Sequence, residues 1–508
     1  MDEISLLFAG FRAALTPHNV ALMMLGISLG VLVGVLPGLG GPNGVAILLP
    51  LTFAMGATPE GRVSAIIMLS SIYWGALFGG AITSILFNIP GEAWSVATTF
   101  DGYPLAQKGR AGEALTAAFT GSFVGAFFGV VMITFLAPTV ARFALKFGPP
   151  AFFGVYFLTF ASFAGTSKSS YAKTAAATLI GFILAAIGMD TVTGQLRLTF
   201  GTEKLLNGVD FLVAVIGLFG LGEIFLSMEE GLAFRGSSGR IDLKVVLKTW
   251  REFPRYWRTV LQSCFIGAWM GIKPGGAIAA SFMSYAVAKR TSKNPDEFGT
   301  GRVEGVIAPE TAAHAAGVSA MLPMLTLGIP GSGTAAVLLG GLMMWGLQPG
   351  PMLFVEQKEF VWGLIASMYL SNAAGLIVVL ATVPLFAAIL RVPFSIIAPL
   401  IVVVCAVGAY TVHNSMFDVW IMLIFGVIGY VFKKLDYPLA PLTLALVLGD
   451  RMEDAFRQSM LGSQGKLSTF WGHPLEGTLM TVGIALLLLP VLTKLWALMR
   501  GRTKPAAA

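Results

Sequence analysis

"GVLPGLGG", Gly34–Gly41, interrupts an apolar run where a continuous helix would be the ordinary choice, and it is not the only such break. "NIPGEA", Asn88–Ala93, follows it; further on, "GIKPGGAI", Gly271–Ile278, is followed by "GIPGSG", Gly328–Gly333. Fifty-three residues separate Pro37 from Pro90, and 56 separate Pro274 from Pro330. A lone Pro-Gly is a kink in a helix. Two matched pairs at nearly equal spacing mark an internal repeat.

The breaks lie in a chain of 508 residues that is 56% hydrophobic and 12% charged, against about 25% charged in soluble domains. The polar shell of a soluble protein is missing. Apolar runs such as Phe211–Leu226, Phe360–Leu390, Phe394–Tyr410, Met416–Phe432 and Leu475–Leu498 approach or exceed the roughly 20 residues that cross a bilayer. The fold expected is all-α, a polytopic integral membrane protein of about 12 transmembrane segments. It reads as an interfacial N-terminal segment (1–18), membrane repeat 1 (19–227), a basic cytoplasmic linker (228–258), membrane repeat 2 (259–470), and a C-terminal transmembrane helix with a basic tail (471–508). The formal charge of +7 sits in short loops, as membrane orientation demands, and does not indicate nucleic acid. Cys264 and Cys405 lie in apolar segments and read as packing. The N-terminus opens on acids rather than a basic stretch, which argues against a cleavable signal.

Basic residues also orient the repeats. Arg235, Arg240, Lys244, Lys248, Arg251, Arg255 and Arg258 place the linker inside the cell. In repeat 1 the first loop holds only Arg62, the later one Lys108 and Arg110; in repeat 2 the first holds Lys289, Arg290, Lys293 and Arg302, and only Lys358 follows the second. This exchange implies repeats of opposite membrane orientation. Val260–Lys273 and Ala277–Arg290 are about 14 residues each, covering about 21 Å of a layer about 30 Å thick. Such arms suit a re-entrant hairpin. Val20–Leu36 is nearly long enough to cross, although its return arm, Val45–Ala57, is short.

Open backbone at membrane depth persists only where it is buried in protein or lines a cavity. Broken helices there aim free amides at anions and free carbonyls at cations. The expected binding residues therefore flank the tips: Pro37, Gly38, Gly40, Asn43, Asn88, Pro90, Gly91, Lys273, Gly275, Gly276, Gly331, Ser332 and Thr334, with Ser95 and Thr98 as further donors. Each polar group taken singly reads equally as a helix cap or interhelical bond. Lys273 at a membrane-embedded tip carries a cost of at least about 2.5 kcal/mol. Two readings stand: it pairs with a substrate carboxylate, or it snorkels to the interface or pairs with Glu310. Glu310 and His314 share a helix face; Glu310 is expected to cap or to bond between helices, and for His314 two readings stand, a structural role or a protonatable group that makes import pH-sensitive. A zinc site needs three or four ligands, and His18, His413 and His473 share no motif with this pair, so no metal is expected. Glu92 is expected to cap the next half-helix rather than to bind substrate, and Asp101 in "DGYP" to begin a turn.

The stretches "GVLPGLGG", "YWGALFGGAITSILFNIPGEAWSVATTFDGYPLAQKGRAGEAL", "FGTGRVEGVIAPETAAHA" and "PMLTLGIPGSGTAAVLLGGLMMWGLQPGP" resemble the large membrane subunit of the tripartite tricarboxylate transporters, over essentially the whole chain. The resemblance implies a cation-gradient-driven carrier of the bacterial inner membrane that imports a di- or tricarboxylate or aromatic acid. Its implied partners are a small four-helix membrane subunit and a periplasmic solute-binding protein; it uses no cofactor, and its coupling ion is Na+ or H+. The chain itself has no "GxxxxGK[ST]" phosphate loop. Two positions depart from the family pattern: Ala313 and His314 stand in "PETAAHA" where paired asparagines are expected, and Lys273 stands where an apolar residue is expected. A channel is the rival reading. An intramembrane hydrolase built on Ser332 and His314 is the weaker one, for Ser332 does not stand in a "GxSxG" and no "HExxH" occurs.

Overall fold

The computed structural model describes residues 3–36, 39–166, 170–190, 193–230, 241–273, 276–389 and 394–499. Pro37, Gly38, Pro274 and Gly275, with Arg235 and Arg240 of the linker, lie outside the described residues. The described residues are mainly helical, with one two-stranded hairpin among them, Gly188–Met189 against Leu196–Arg197. Contacts divide it into two compact units, Met1–Ala144 with Phe211–Lys433, and Leu145–Asp210 with Lys434–Ala508.

The first unit begins with α1 (Glu3–Ala14), α2 (Pro17–Val35), α3 (Gly40–Phe53), α4 (Pro59–Phe87), α5 (Val96–Gln107) and α6 (Ala111–Ala144). The chain then contributes α7 (Pro149–Thr166) and α8 (Tyr171–Ala185) to the second unit and returns through α9 (Phe211–Val215), a π-helical stretch (Ile216–Leu221) and α10 (Gly222–Glu230). Next come α11 (Leu243–Glu252), α12 (Trp257–Gly271), α13 (Gly276–Thr291), α14 (Glu304–Ser319) and α15 (Met321–Leu327). They are followed by α16 (Gly333–Met344), α17 (Leu353–Glu356), α18 (Lys358–Ile389), α19 (Phe394–His413) and α20 (Met416–Lys434). α21 (Leu439–Gly462) and α22 (Pro474–Met499) complete the second unit. Among the described residues, six helices are long and apolar enough to cross a membrane: Pro17–Val35, Gly61–Phe87, Ala111–Ala144, Phe211–Glu229, Lys358–Phe386 and Met416–Lys434. Shorter apolar helices such as Gly333–Met344 accompany them, and this multi-pass character is what the hydropathy predicts.

Helix boundaries follow local chemistry. Thr16 and Thr58 cap α2 and α4, each with proline at the first helical position, where its missing N–H costs nothing. α4 and α15 end on left-handed residues, Asn88 (φ 58°) and Gly328 (φ 73°), which turn the chain into the Pro-Gly segments. At its start, α1 docks on α18 through Gly10, where a Cβ would stand 2.4 Å from the Trp362 carbonyl oxygen, while Ile4 and Phe8 stay exposed.

Packing in the first unit depends on glycine seams, because small residues let backbones approach where no water is expelled between helices. A Cβ on Gly30 would lie 2.1 Å from the Ile72 oxygen, and one on Gly34 2.2 Å from the Ala76 oxygen. The same contacts recur in the second half: Gly267 meets the Ala312 oxygen at 2.3 Å and Gly271 the Ala316 oxygen at 2.3 Å. Gly91 is wedged between Gly80 and the Gly34 oxygen; Gly331 is wedged between Ala320 and the Gly271 oxygen. The recurrence holds residue for residue when counted from each Pro-Gly glycine. α14 is flanked on one side by Gly267 and Gly271 and on another by Gly121 and Gly125 of α6, so all its residues are buried.

The late helices of the halves pair crosswise. α9, the π-helical stretch and α10 pack on α19, and the π-helical stretch also meets α20, where a Cβ on Gly217 would be 2.4 Å from the Met422 oxygen. In the second unit, α21 packs on α7 and α8, with Gly181 against the Leu442 oxygen. That unit is held by Phe153, Phe456 and Phe470 and by a network in which Arg457 bonds Asp190 and Glu453 while Arg197 bonds Glu453.

One local expectation fails. Asp101 does not begin a turn; α5 runs through it, and its side chain is fully buried. Tertiary hydrogen bonds outweigh the turn propensity of "DGYP", as the site geometry explains.

Candidate functional site

Two Ile-Pro-Gly turns adopt the same geometry. The Ile89 amide bonds back to the Thr83 carbonyl at 3.3 Å, and the Ile329 amide to the Pro323 carbonyl at 3.1 Å. Each turn then passes through an extended residue, Glu92 (φ −138°) or Ser332 (φ −149°), that caps the next helix. Glu92 forms a capping box with Ser95, and the Ser332 hydroxyl accepts the Ala335 amide at 3.1 Å.

These turns meet the start of α3. The Gly41 amide donates to the Glu92 carboxylate. A Cβ on Gly41 would stand 3.1 Å from both Glu92 Oε1 and Thr334 Oγ1, and Gly40 has φ +56°, open to glycine but strained for other residues. The Tyr73 hydroxyl donates to the Gly317 carbonyl at 2.9 Å and has Ser332 beside it. Thus Gly40, Gly91, Gly331, Ser332 and Thr334 gather with Glu92 and Tyr73, and Asn43 is buried on the next turn of α3. First-turn amides have no intrahelical acceptor and carry positive potential. Glu92 supplies the anion for α3, whereas α16 begins in the same cluster behind a neutral cap.

The remaining expected residues divide. Asn88 and Pro90 are exposed, Asn88 acting as the helix terminator. Gly276 opens α13, which reaches the other half through Ser281 Oγ donating to the Trp94 carbonyl at 2.6 Å. Lys273 is exposed and stacks over the Trp269 ring at 5.3 Å. Of its alternative readings, pairing with Glu310 is not what the structure contains, because the Glu310 carboxyl is bonded by the Thr98 and Ser122 hydroxyls. Pro37, Gly38 and Gly275 lie outside the described residues.

Glu310 sits inside α14 and is not a cap. Thr98 Oγ1 donates to it at 2.6 Å and Ser122 Oγ at 3.0 Å, tying α14 to α5 and α6. His314 Nδ1 lies 3.0 Å from the Glu310 backbone oxygen and 3.6 Å from its carboxylate; Nε2 is buried without a hydrogen-bond partner. The ring packs against Phe78 at 5.2 Å. Counted back from Gly331 and Gly91, the first-half position equivalent to Glu310 is Ser70, whose hydroxyl faces Ser367 at 3.4 Å. The acid is present in one half only. Among the described residues no group of three or more His, Cys, Asp or Glu is arranged to hold a metal.

Asp101 is the strongest feature the sequence reading missed. Its Oδ1 accepts the amides of Gly299, Gly301 and Arg302 at 2.9, 2.8 and 2.7 Å, and its Oδ2 accepts the Tyr285 hydroxyl at 2.9 Å. The glycine pair in "FGTGR", with φ of +89° and +107°, is the available signal, for such a loop presents successive amides to an anion. The small-xxx-small spacing of Gly26, Gly30 and Gly34 would likewise have located the α2–α4 seam.

A family model described as the tripartite tricarboxylate transporter TctA family matches residues 20–444. The chain is similar to an uncharacterized 52.8 kDa protein in the TAR-I ttuC' 3' region of Agrobacterium vitis, 38% identical over 496 residues and covering 97% of both chains. It is also similar to an uncharacterized protein in the TAR-II ttuC' 3' region of the same organism, 37% identical over 227 residues, 44% of this chain and 94% of that one. No solved structure matches.

Proposed function

We propose, from the premise that this chain belongs to the tripartite tricarboxylate transporter TctA family, that its converging helix starts carry a carboxylate across the bacterial inner membrane. Family membership makes it a multi-pass transporter subunit that works with partner proteins, and not an enzyme. The finer reading is import of a di- or tricarboxylate or aromatic acid handed over by a periplasmic solute-binding protein, with a small four-helix membrane subunit as the third component. The observation that carries it is the cluster of Gly41, Glu92, Ser332 and Thr334, where the α3 and α16 starts meet. The Glu92 carboxyl accepting the Gly41 amide at one of these starts supports this reading, and the Ser332–Thr334 start is the proposed place for the substrate's carboxylate. Lys273, itself exposed, is assigned to the approaching anion.

Two halves in opposite membrane orientation alternate access to this cluster, and a cation gradient drives them. Glu310, with Thr98 and Ser122, is the coupling site: a buried acid with hydroxyl oxygens suits a hard cation or a proton. Purified protein in proteoliposomes, offered radiolabelled carboxylates under an imposed sodium or proton gradient, tests both parts. Saturable uptake with counterflow supports the carrier; single-channel conductance steps reject it in favour of a channel.

A further inference from the structure

We propose that the apolar groove between α6 and the 253–264 segment binds one acyl chain of an anionic phospholipid, whose head group is held by Arg255 and Arg258. The groove encloses about 480 Å³ between Phe127, Phe128 and Val131 on one side and Phe253, Trp257 and Leu261 on the other, within the roughly 300–1,000 Å³ of small-molecule sites. Phe127, Trp257 and Leu261 are exposed in the chain by itself, so something apolar covers them. The wall is fixed: Trp250 Nε1 donates to Thr120 Oγ1 at 3.0 Å and pins α11 to α6.

Charge identifies the occupant. Lys244, Lys248, Arg251, Arg255 and Arg258 recur every three or four residues along the helical path that borders the groove, and all five are exposed. Asp242 and Glu252 are the only acids in the same stretch. The Arg258 guanidinium lies 5.4 Å over the ring of Trp257, itself part of the groove wall, which sets a cation at the groove mouth. An apolar cleft with cations and tryptophans at its rim matches a lipid's tail below and its phosphate above. An apolar helix from another protein would leave the basic row without a counter-charge.

Native mass spectrometry of the purified full chain, titrated with dioleoyl phosphatidylglycerol against dioleoyl phosphatidylcholine, tests this. Wild-type protein is expected to retain the anionic lipid with about tenfold preference, the scale set by basic groups at an anionic surface. The double variant Arg255→Gln/Arg258→Gln, confined to exposed side chains, is expected to bring the two lipids to parity. Val131→Trp, which fills the groove, is expected to lower retention of both; if it misfolds, the arginine pair still decides. Equal retention of the two lipids by wild type overturns the proposal, as does an undiminished preference in the double variant. Loss of the bound lipid on co-purification with a membrane partner would assign the groove to that partner instead.

Discussion

The Glu92 carboxylate accepts the amide proton of Gly41, so an acid following one Pro-Gly turn occupies the helix start that follows another. The contact joins positions 51 residues apart and makes Glu92 part of the site as well as the cap it was expected to be.

Removing that acid has two separable effects. Glu92→Ala leaves the Gly41 amide without its acceptor and is expected to cost about 1–3 kcal/mol, read as a lower melting temperature in detergent. Glu92→Gln keeps an acceptor for the Gly41 amide and is expected to retain most of the stability while changing KM for a dicarboxylate, because a carboxyl beside the proposed binding position is replaced. An unchanged KM in a folded Glu92→Gln protein would separate Glu92 from substrate binding.

Asp101→Ala strands three backbone amides and the Tyr285 hydroxyl. At about 1–3 kcal/mol per unsatisfied buried group, the loss is expected to exceed about 3 kcal/mol. Limited trypsinolysis at Arg302 reports it directly: cleavage there is expected to accelerate well before the rest of the chain is attacked.

The glycine seams predict sharply position-dependent alanine tolerance. Gly30→Ala and Gly267→Ala drive a methyl into a backbone oxygen and are expected to cost about 1–3 kcal/mol or more by overpacking. Gly462→Ala, with nothing within 4 Å of its Cβ, is expected to be neutral or to stabilise by up to about 1 kcal/mol. Fluorescence-detected yield and melting of the three variants, side by side, check the contrast.

Glu310→Gln is expected to abolish gradient-driven accumulation while leaving substrate exchange across the membrane, since exchange needs no net movement of the coupling cation. Comparing imposed sodium and proton gradients in the same proteoliposomes identifies that cation. His314→Asn is expected to leave the pH profile of uptake unaltered, since full burial against Phe78 keeps the ring neutral; a flattened profile would give His314 a titrating role.

Local chemistry explains what could be read in advance. Proline and glycine act on their own backbone, so the four breaks and the helix ends beside them were legible from "GVLPGLGG", "NIPGEA", "GIKPGGAI" and "GIPGSG". The partners of Glu310 were not, because Thr98 and Ser122 lie 212 and 188 residues away in the chain. Asp101 was misread for the same reason: "DGYP" favours a turn locally, and amides about 200 residues distant override it. Lys273 drew attention as a charge in an apolar run, and its exposure and stacking on Trp269 give it a place without a buried counter-ion.

Under the coupling role proposed for Glu310, its contrast with the counterpart Ser70 gives the transport cycle an electrical sign. A duplicated fold with an acid in each half would present two coupling charges; this chain presents one. A single cation accompanying a multiply charged anion leaves net negative charge moving inward through this route, so uptake is expected to weaken as the membrane interior becomes more negative. Current recorded from the reconstituted protein at varied voltage would then reveal the asymmetry between the halves as a direction.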